Sequence, residues 1–341
     1  MKTILRLVTV SAVGVAALAF AGNALATQRL SVTQSATSLT IKATQDASDQ
    51  QPAKIQIYVP AGYTLNLSGV TPGATVGTTT GVVIARDQGG IDLPLTGDVL
   101  VDNPANHTKD PCSPGTNAAV LILQLSVAGQ TINLPLYVNP TTGAETALGS
   151  AKLAICLAPS DTPQGSPGRS PFGAQLKSAT FTVNNVFTPP AGATRWESLW
   201  TPYAAGNGVP NVAGTVEARA FVGPGAITLA GRVTSKKKRT VALSGRVTAS
   251  GVGIAGATVS LLLNGKARYK AKTSAAGAYA VRLQKKKGTK VTTTVFQSKV
   301  TVPESDVTTT GCATPAVPPI PCVSATQGAF TAVSNKIRIR I

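Results

Sequence analysis

Apolar and polar residues alternate at every second position along most of this chain, in short runs cut by Gly, Pro, Asn, Asp and Ser. A period of two beside turn residues predicts β-strands with one buried face. In the first half it predicts strands over 28–34, 38–44, 53–60, 63–67, 81–85, 98–102, 118–127, 130–138, 152–157 and 179–187. Ile132, Leu134, Leu136 and Val138 share one face of the clearest of these, and Pro135 marks it as an edge. A further strand over 195–203 carries both tryptophans, and 212–222 reads as one more. No stretch after residue 26 repeats its apolar positions every 3.6 residues, so the fold class is all-β.

Gly223-Pro224-Gly225 reads as a domain boundary. Beyond it, ITLAGRVT (227–234) returns as VALSGRVT (241–248), which predicts two adjacent strands joined by 235–239. Val259, Leu261 and Leu263 then share a face, and Asn264-Gly265 is a strong hairpin signal. Strands over 266–273, 279–283, 291–296 and 299–302 and a last one over 329–341 complete this half.

Gly245, Val247 and Thr248, then Ile254-Ala255-Gly256-Ala257, Val259 and Leu261, then Thr273, Gly277 and Tyr279 form a recognisable set. On these residues, the stretch of about 241–302 resembles the carboxypeptidase regulatory-like (prealbumin-like) β-sandwich modules of secreted bacterial proteins. It departs from them at Gly253, where Pro is usual, and at Ser274, where Asp usually follows the Thr. The resemblance implies a folding, spacing or ligand-docking unit and brings no catalytic residue with it.

Residues 1–26 read as a cleaved signal peptide: Lys2 and Arg6, an apolar run over 8–20, then Ala24-Leu25-Ala26. The expected layout is therefore a signal peptide (1–26), an Ig-like N-terminal β-sandwich domain (27–222) and a basic prealbumin-like β-sandwich domain (226–341). Four cysteines in such a chain predict the disulfides Cys112–Cys156 and Cys312–Cys322, in a protein that is secreted or associated with the cell envelope. The C-x-x-C pairs of a four-cysteine zinc site are absent, and no cofactor motif occurs.

Charge changes the picture more than composition does. From residue 217 onward there are 20 Lys and Arg against 3 Asp and Glu, whereas 27–216 hold 9 against 10. Alternation predicts that Lys266, Arg268, Lys270 and Lys272 share one strand face and that Lys336, Arg338 and Arg340 share another. Lys236, Lys237, Lys238 and Arg239 cluster in one loop, with Lys285, Lys286 and Lys287 in a second. Such a surface implies an anionic partner, an envelope polymer or polysaccharide. Nucleic acid fits less well, because the basic strands lack interleaved aromatics for stacking bases. Lysines guarding edge strands are the plainer explanation of the same pattern.

The other functional reading is a carbohydrate-binding or adhesive sandwich with Trp196, Trp200 and Tyr203 as exposed platforms, although core packing is the commoner fate of such residues. Catalysis finds little support. His107 is the single histidine, no serine lies in G-x-S-x-G, and Ser235 and Lys238 have S-x-x-K spacing inside a cationic loop. Leu93-Pro94-Leu95-Thr96-Gly97 has the letters of a wall-sorting signal without the apolar segment that should follow, and reads as a strand end and turn.

Overall fold

The computed structural model describes residues 26–340 apart from 36, 128, 224, 250, 251, 286–290, 308–311 and 313–319. The expected signal peptide lies outside these residues except for Ala26. Within them the protein is all-β, with only short 3₁₀ turns between strands.

The first thirteen strands are β1 (Arg29–Gln34), β2 (Ser38–Thr44), β3 (Pro52–Val59), β4 (Thr64–Leu65), β5 (Thr75–Ala85), β6 (Ile91–Asp102), β7 (Ala119–Val127), β8 (Gln130–Pro140), β9 (Ala151–Cys156), β10 (Ala174–Asn184), β11 (Phe187–Thr188), β12 (Thr194–Pro202) and β13 (Val216–Val222). They are followed by β14 (Gly225–Ile227), β15 (Ala230–Ser235), β16 (Thr240–Ala249), β17 (Val252–Gly253), β18 (Thr258–Leu263), β19 (Lys266–Lys272), β20 (Ala278–Gln284), β21 (Thr293–Val302), β22 (Ser305–Asp306), β23 (Cys322–Gln327), β24 (Phe330–Val333) and β25 (Ile337–Arg340).

The first unit is one continuous sheet in the order β1-β2-β10-β5-β6-β7-β8-β9-β3-β12-β13-β23-β22. It curls until β1 lies against β13 and β23, which makes a barrel where a two-sheet sandwich was expected. Ser324 and Thr326 donate their hydroxyls across this seam to the carbonyls of Gln28 and Leu30. Inward residues such as Leu30, Ile41, Ile57, Leu123, Phe181, Trp196 and Trp200 are buried in one core. Burying each such side chain contributes about 1.5–3 kcal/mol.

The layout also differs from the expected one at 305–327. The chain leaves the barrel after β13, builds most of the second unit, and returns so that β23 pairs in parallel with β13. It then crosses again for β24 and β25. The 93–97 stretch is not a strand end and turn but lies inside β6, paired to β5. Pro135 behaves as its residue type requires, because β9 pairs only with Tyr137–Pro140 and leaves that side of β8 free.

The second unit is a two-sheet sandwich. In one sheet β16 has β14 and β15 along one edge and β17 and β20 along the other; the second runs β19-β18-β21, with β24 and β25 sharing the far edge of β21. Val241, Leu243, Val247, Val259, Leu261, Phe296 and Val300 fill the space between them. The echoed segments form the β15–β16 hairpin. Asn264 and Gly265 turn the β18–β19 hairpin with φ of 48° and 80°, the paired positive values of a type I′ turn. Gly245 is dictated by contact: a Cβ there would lie 2.6 Å from the Tyr279 hydroxyl, which donates to the Thr228 carbonyl and lies 2.8 Å from the Ser298 hydroxyl across the core. Both expected disulfides are formed.

Candidate cationic interface

Strand direction decides where the basic loops lie. β20 ends and β21 begins at one end of the sandwich, and β18, which is antiparallel to β21, also ends there. The β15–β16 turn, the β18–β19 hairpin and the end of β25 share that end, because Thr240 pairs with Gln284, Leu263 with Phe296 and Arg340 with Thr293. The chain crossings to the barrel, before β14, after β21 and before β24, are at the opposite end. Lys236, Lys237, Lys238, Arg239, Lys266, Lys285 and Arg340 therefore cap the end distal to the barrel. Lys286 and Lys287, which belong to the same expected cluster, lie outside the described residues.

The cap is held by its own backbone. Lys238 donates its N–H to the Ser235 hydroxyl at 3.0 Å, which closes the turn and gives the S-x-x-K spacing a structural role. Arg239 takes φ of 49°, and its carbonyl accepts the Lys285 N–H at 3.2 Å, tying the two basic loops together. Lys285 donates its Nζ to the Thr292 hydroxyl at 2.7 Å. Lys236, Lys237, Lys238 and Lys266 are exposed.

The shared face expected for 266–272 does not survive. A bulge opposite Leu261 and Leu262 shifts the register, so Lys270 and Lys272 point outward while Lys266 falls on the side of Leu263. Arg268 stands out of register in that bulge. The outward side gains other cations instead: Lys299, Arg338 and Arg340 lie on the same outer face as Lys270 and Lys272. Ile337 and Ile339 turn inward to the core, and Lys336 is exposed just before the strand. Lys299 was missed from sequence, although Phe296, Ser298 and Val300 alternate with it as buried residues. On the opposite sheet Arg232 and Arg282 flank Ala242. The positive charge therefore forms a cap with two flanks, centred on the distal end.

Nothing within the sandwich opposes it. Residues 225–303 and 328–341 contain 19 Lys and Arg and no Asp or Glu. The three acidic residues after 216 belong to the barrel side: Glu217 lies 2.5 Å from Arg219, and Glu304 and Asp306 flank Arg29 at 3.5 and 2.7 Å.

Compared with known proteins, the sequence matches no family model and no curated relative.

The expected aromatic platforms are ruled out for both tryptophans. Trp196 and Trp200 are 0% and 1% exposed. Their indole N–H groups are satisfied by the Tyr63 hydroxyl at 3.3 Å and the Ser198 hydroxyl at 2.8 Å. Tyr203 is half-buried and donates to the Leu157 carbonyl at 2.7 Å. Buried aromatics with satisfied polar tips are core residues.

Two polar clusters in the barrel remain. His107 Nε2 lies 2.8 Å from Asp102, and Tyr137 donates to Asp110, whose carboxylate is 3.8 Å from His107 Nδ1. Burial pushes the Asp102 carboxyl up, yet its hydrogen bonds from His107 and the Asn103 N–H hold it below the usual range. On the outer side of β12 and β13, Glu197, Glu217 and Arg219 are buried, with Arg195 2.6 Å from Glu197. Burial raises the Glu197 carboxyl, and Glu217 adds to that. Tyr58, which pairs with Glu197, clusters there with Leu148, Leu199 and Ile320, and both carboxylates are fully buried. Among the described residues no group of three His, Cys, Asp or Glu is placed to hold a metal ion, and no helix is long and apolar enough to cross a membrane.

Proposed function

We propose that this is a secreted, non-enzymatic binding protein of the cell envelope, whose prealbumin-like sandwich docks end-on to an anionic polymer while the barrel stands away from it. One observation carries the reading: a sandwich with no acidic side chain collects its basic loops at the end farthest from the barrel. No Asp or Glu within the unit can pair with its lysines, so the field of the cap is available to a polyanion. Phosphate-bearing chains and acidic polysaccharides present closely spaced negative charge, and release of their counterions drives such binding. The two disulfides agree with an oxidising location.

The test is retention of the mature protein on immobilised polyphosphate and on isolated envelope polymer across a salt gradient. Binding should fall linearly with salt on logarithmic axes. A variant with Lys236, Lys237, Lys238 and Lys266 changed to Gln should elute at clearly lower salt and with a shallower slope. Equal loss on changing Arg232, Arg246 and Arg282, which lie off the cap, would reject the end-on geometry. Retention independent of salt would reject the whole reading.

A further inference from the structure

The barrel interior is not packed solid. Between β2, β3 and β5–β10 it encloses a cavity of about 210 Å³. Leu95, Leu123, Leu134, Ile155 and Phe181 are among the apolar side chains of its wall. Gln51, Thr79 and Ser170 are its buried polar residues, and the wall itself occupies them. The Gln51 carbonyl accepts the Leu176 N–H at 2.8 Å and its amide donates to the Ala158 carbonyl at 3.2 Å, while Thr79 donates to the Thr180 carbonyl at 3.2 Å. No charged residue lines the space. A small barrel of about eight strands is filled by its own side chains, and adding strands widens the interior; here twelve or more surround it.

We propose that this cavity is a binding site for one unbranched, uncharged aliphatic chain. Shape and volume set the class. The lining follows β10 from Ala174 to Phe181, about 20 Å of strand, so it is extended along that strand. Apolar cavities of about 150 Å³ take benzene, and on that scale 210 Å³ holds about eight carbons. No charged side chain lines the space and the Ser170 hydroxyl is taken by the Ala174 carbonyl at 3.0 Å, so the lining suits an uncharged chain and disfavours a free carboxylate.

Octan-1-ol is the probe, titrated into the full chain and followed by methyl NMR, with butan-1-ol as the short control. Octanol should give contacts to the Leu123 and Leu134 methyls and bind at least tenfold tighter than butanol. Ala43→Leu together with Ala179→Leu should weaken octanol at least tenfold. Leu134→Ala should shift the preference to decan-1-ol, which keeps the test decisive if the filled variant folds poorly. Octanol without those methyl contacts, or affinity unchanged in the filled and enlarged variants, would overturn the site. The Lys-to-Gln cap variant should bind octanol as the parent does, so this proposal and the polymer-docking one fail separately.

Discussion

The hydroxyl of Thr326 donates to the carbonyl oxygen of Leu30 at 2.6 Å, joining residues 296 apart in sequence. β1 has no ladder partner on this side, and its carbonyls are met by side chains of β23. Gly328 completes the approach, since a Cβ there would sit 2.5 Å from the Val32 carbonyl. Thr326 is fully buried, so Thr326→Val leaves a buried carbonyl without a donor. It should cost about 1–3 kcal/mol in urea unfolding, and Thr326→Ser should recover most of that.

Arg219 is 4% exposed and lies 2.5 Å from Glu217. Arg219→Met strands buried carboxylates and should cost about 3–5 kcal/mol at pH 7. The loss should shrink as the pH is lowered, because burial already raises the Glu197 carboxyl, which Arg219 attracts, and protonating it removes part of the uncompensated charge; unfolding midpoints at pH 7 and pH 4 measure the difference. An equal loss at both values would mean that packing, not charge, is what Arg219 supplies.

Glu145 accepts Lys152 Nζ at 2.7 Å and the Tyr58 hydroxyl at 3.0 Å. Burial pushes its carboxyl up, but these hydrogen bonds outweigh burial and hold it below the usual range. A lowered carboxylate contributes its stability above the ordinary Glu value of about 4.3, and that stability is lost as the pH falls through the native value. Glu145→Gln should therefore flatten the acid limb of the stability profile below about pH 4.3. Above neutrality it should lower stability by a constant amount and leave the slope unchanged.

Cys112–Cys156 closes a span of 44 residues that includes β7, β8 and β9. Replacing both cysteines by Ser should cost up to about 4 kcal/mol, by the loop-closure argument. Thermal unfolding of the variant, compared with the parent in reductant, checks it.

Gly245→Ala should destabilise the sandwich by about 3 kcal/mol through overpacking against the Tyr279 phenol and the Thr228 carbonyl. Gly265→Ala, strained by a positive φ but with open space around it, should cost less. Denaturant midpoints of the two variants give the comparison.

Local alternation was enough to place β2, the β15–β16 hairpin and the Asn264-Gly265 turn, because each is specified by neighbours in sequence. It was not enough for β5 and β6, whose Thr-rich and Pro- and Gly-bearing halves carry weak strand signals. The barrel was hidden because its closure depends on a parallel pairing of β13 with β23 that leaves no periodic trace. For the site, the composition of the cap was legible and its geometry was not: one bulge in β19 moved Lys266 off the expected face, and β21 brought Lys299 onto it. Glu197 and Arg219 looked like the polar face of ordinary strands, since β23, which pairs with β13 at Arg219, is remote in sequence.

The return of β23 to the barrel also sets an order of construction. Residues 322–327 close the first unit, and residues 330–340 supply two strands of the second. On the ribosome both units hold open edges until this stretch emerges, so neither can lock early. The stretch from 322 to 340 is thus one fastener for two bodies, and removing it should leave each with an unpaired strand edge.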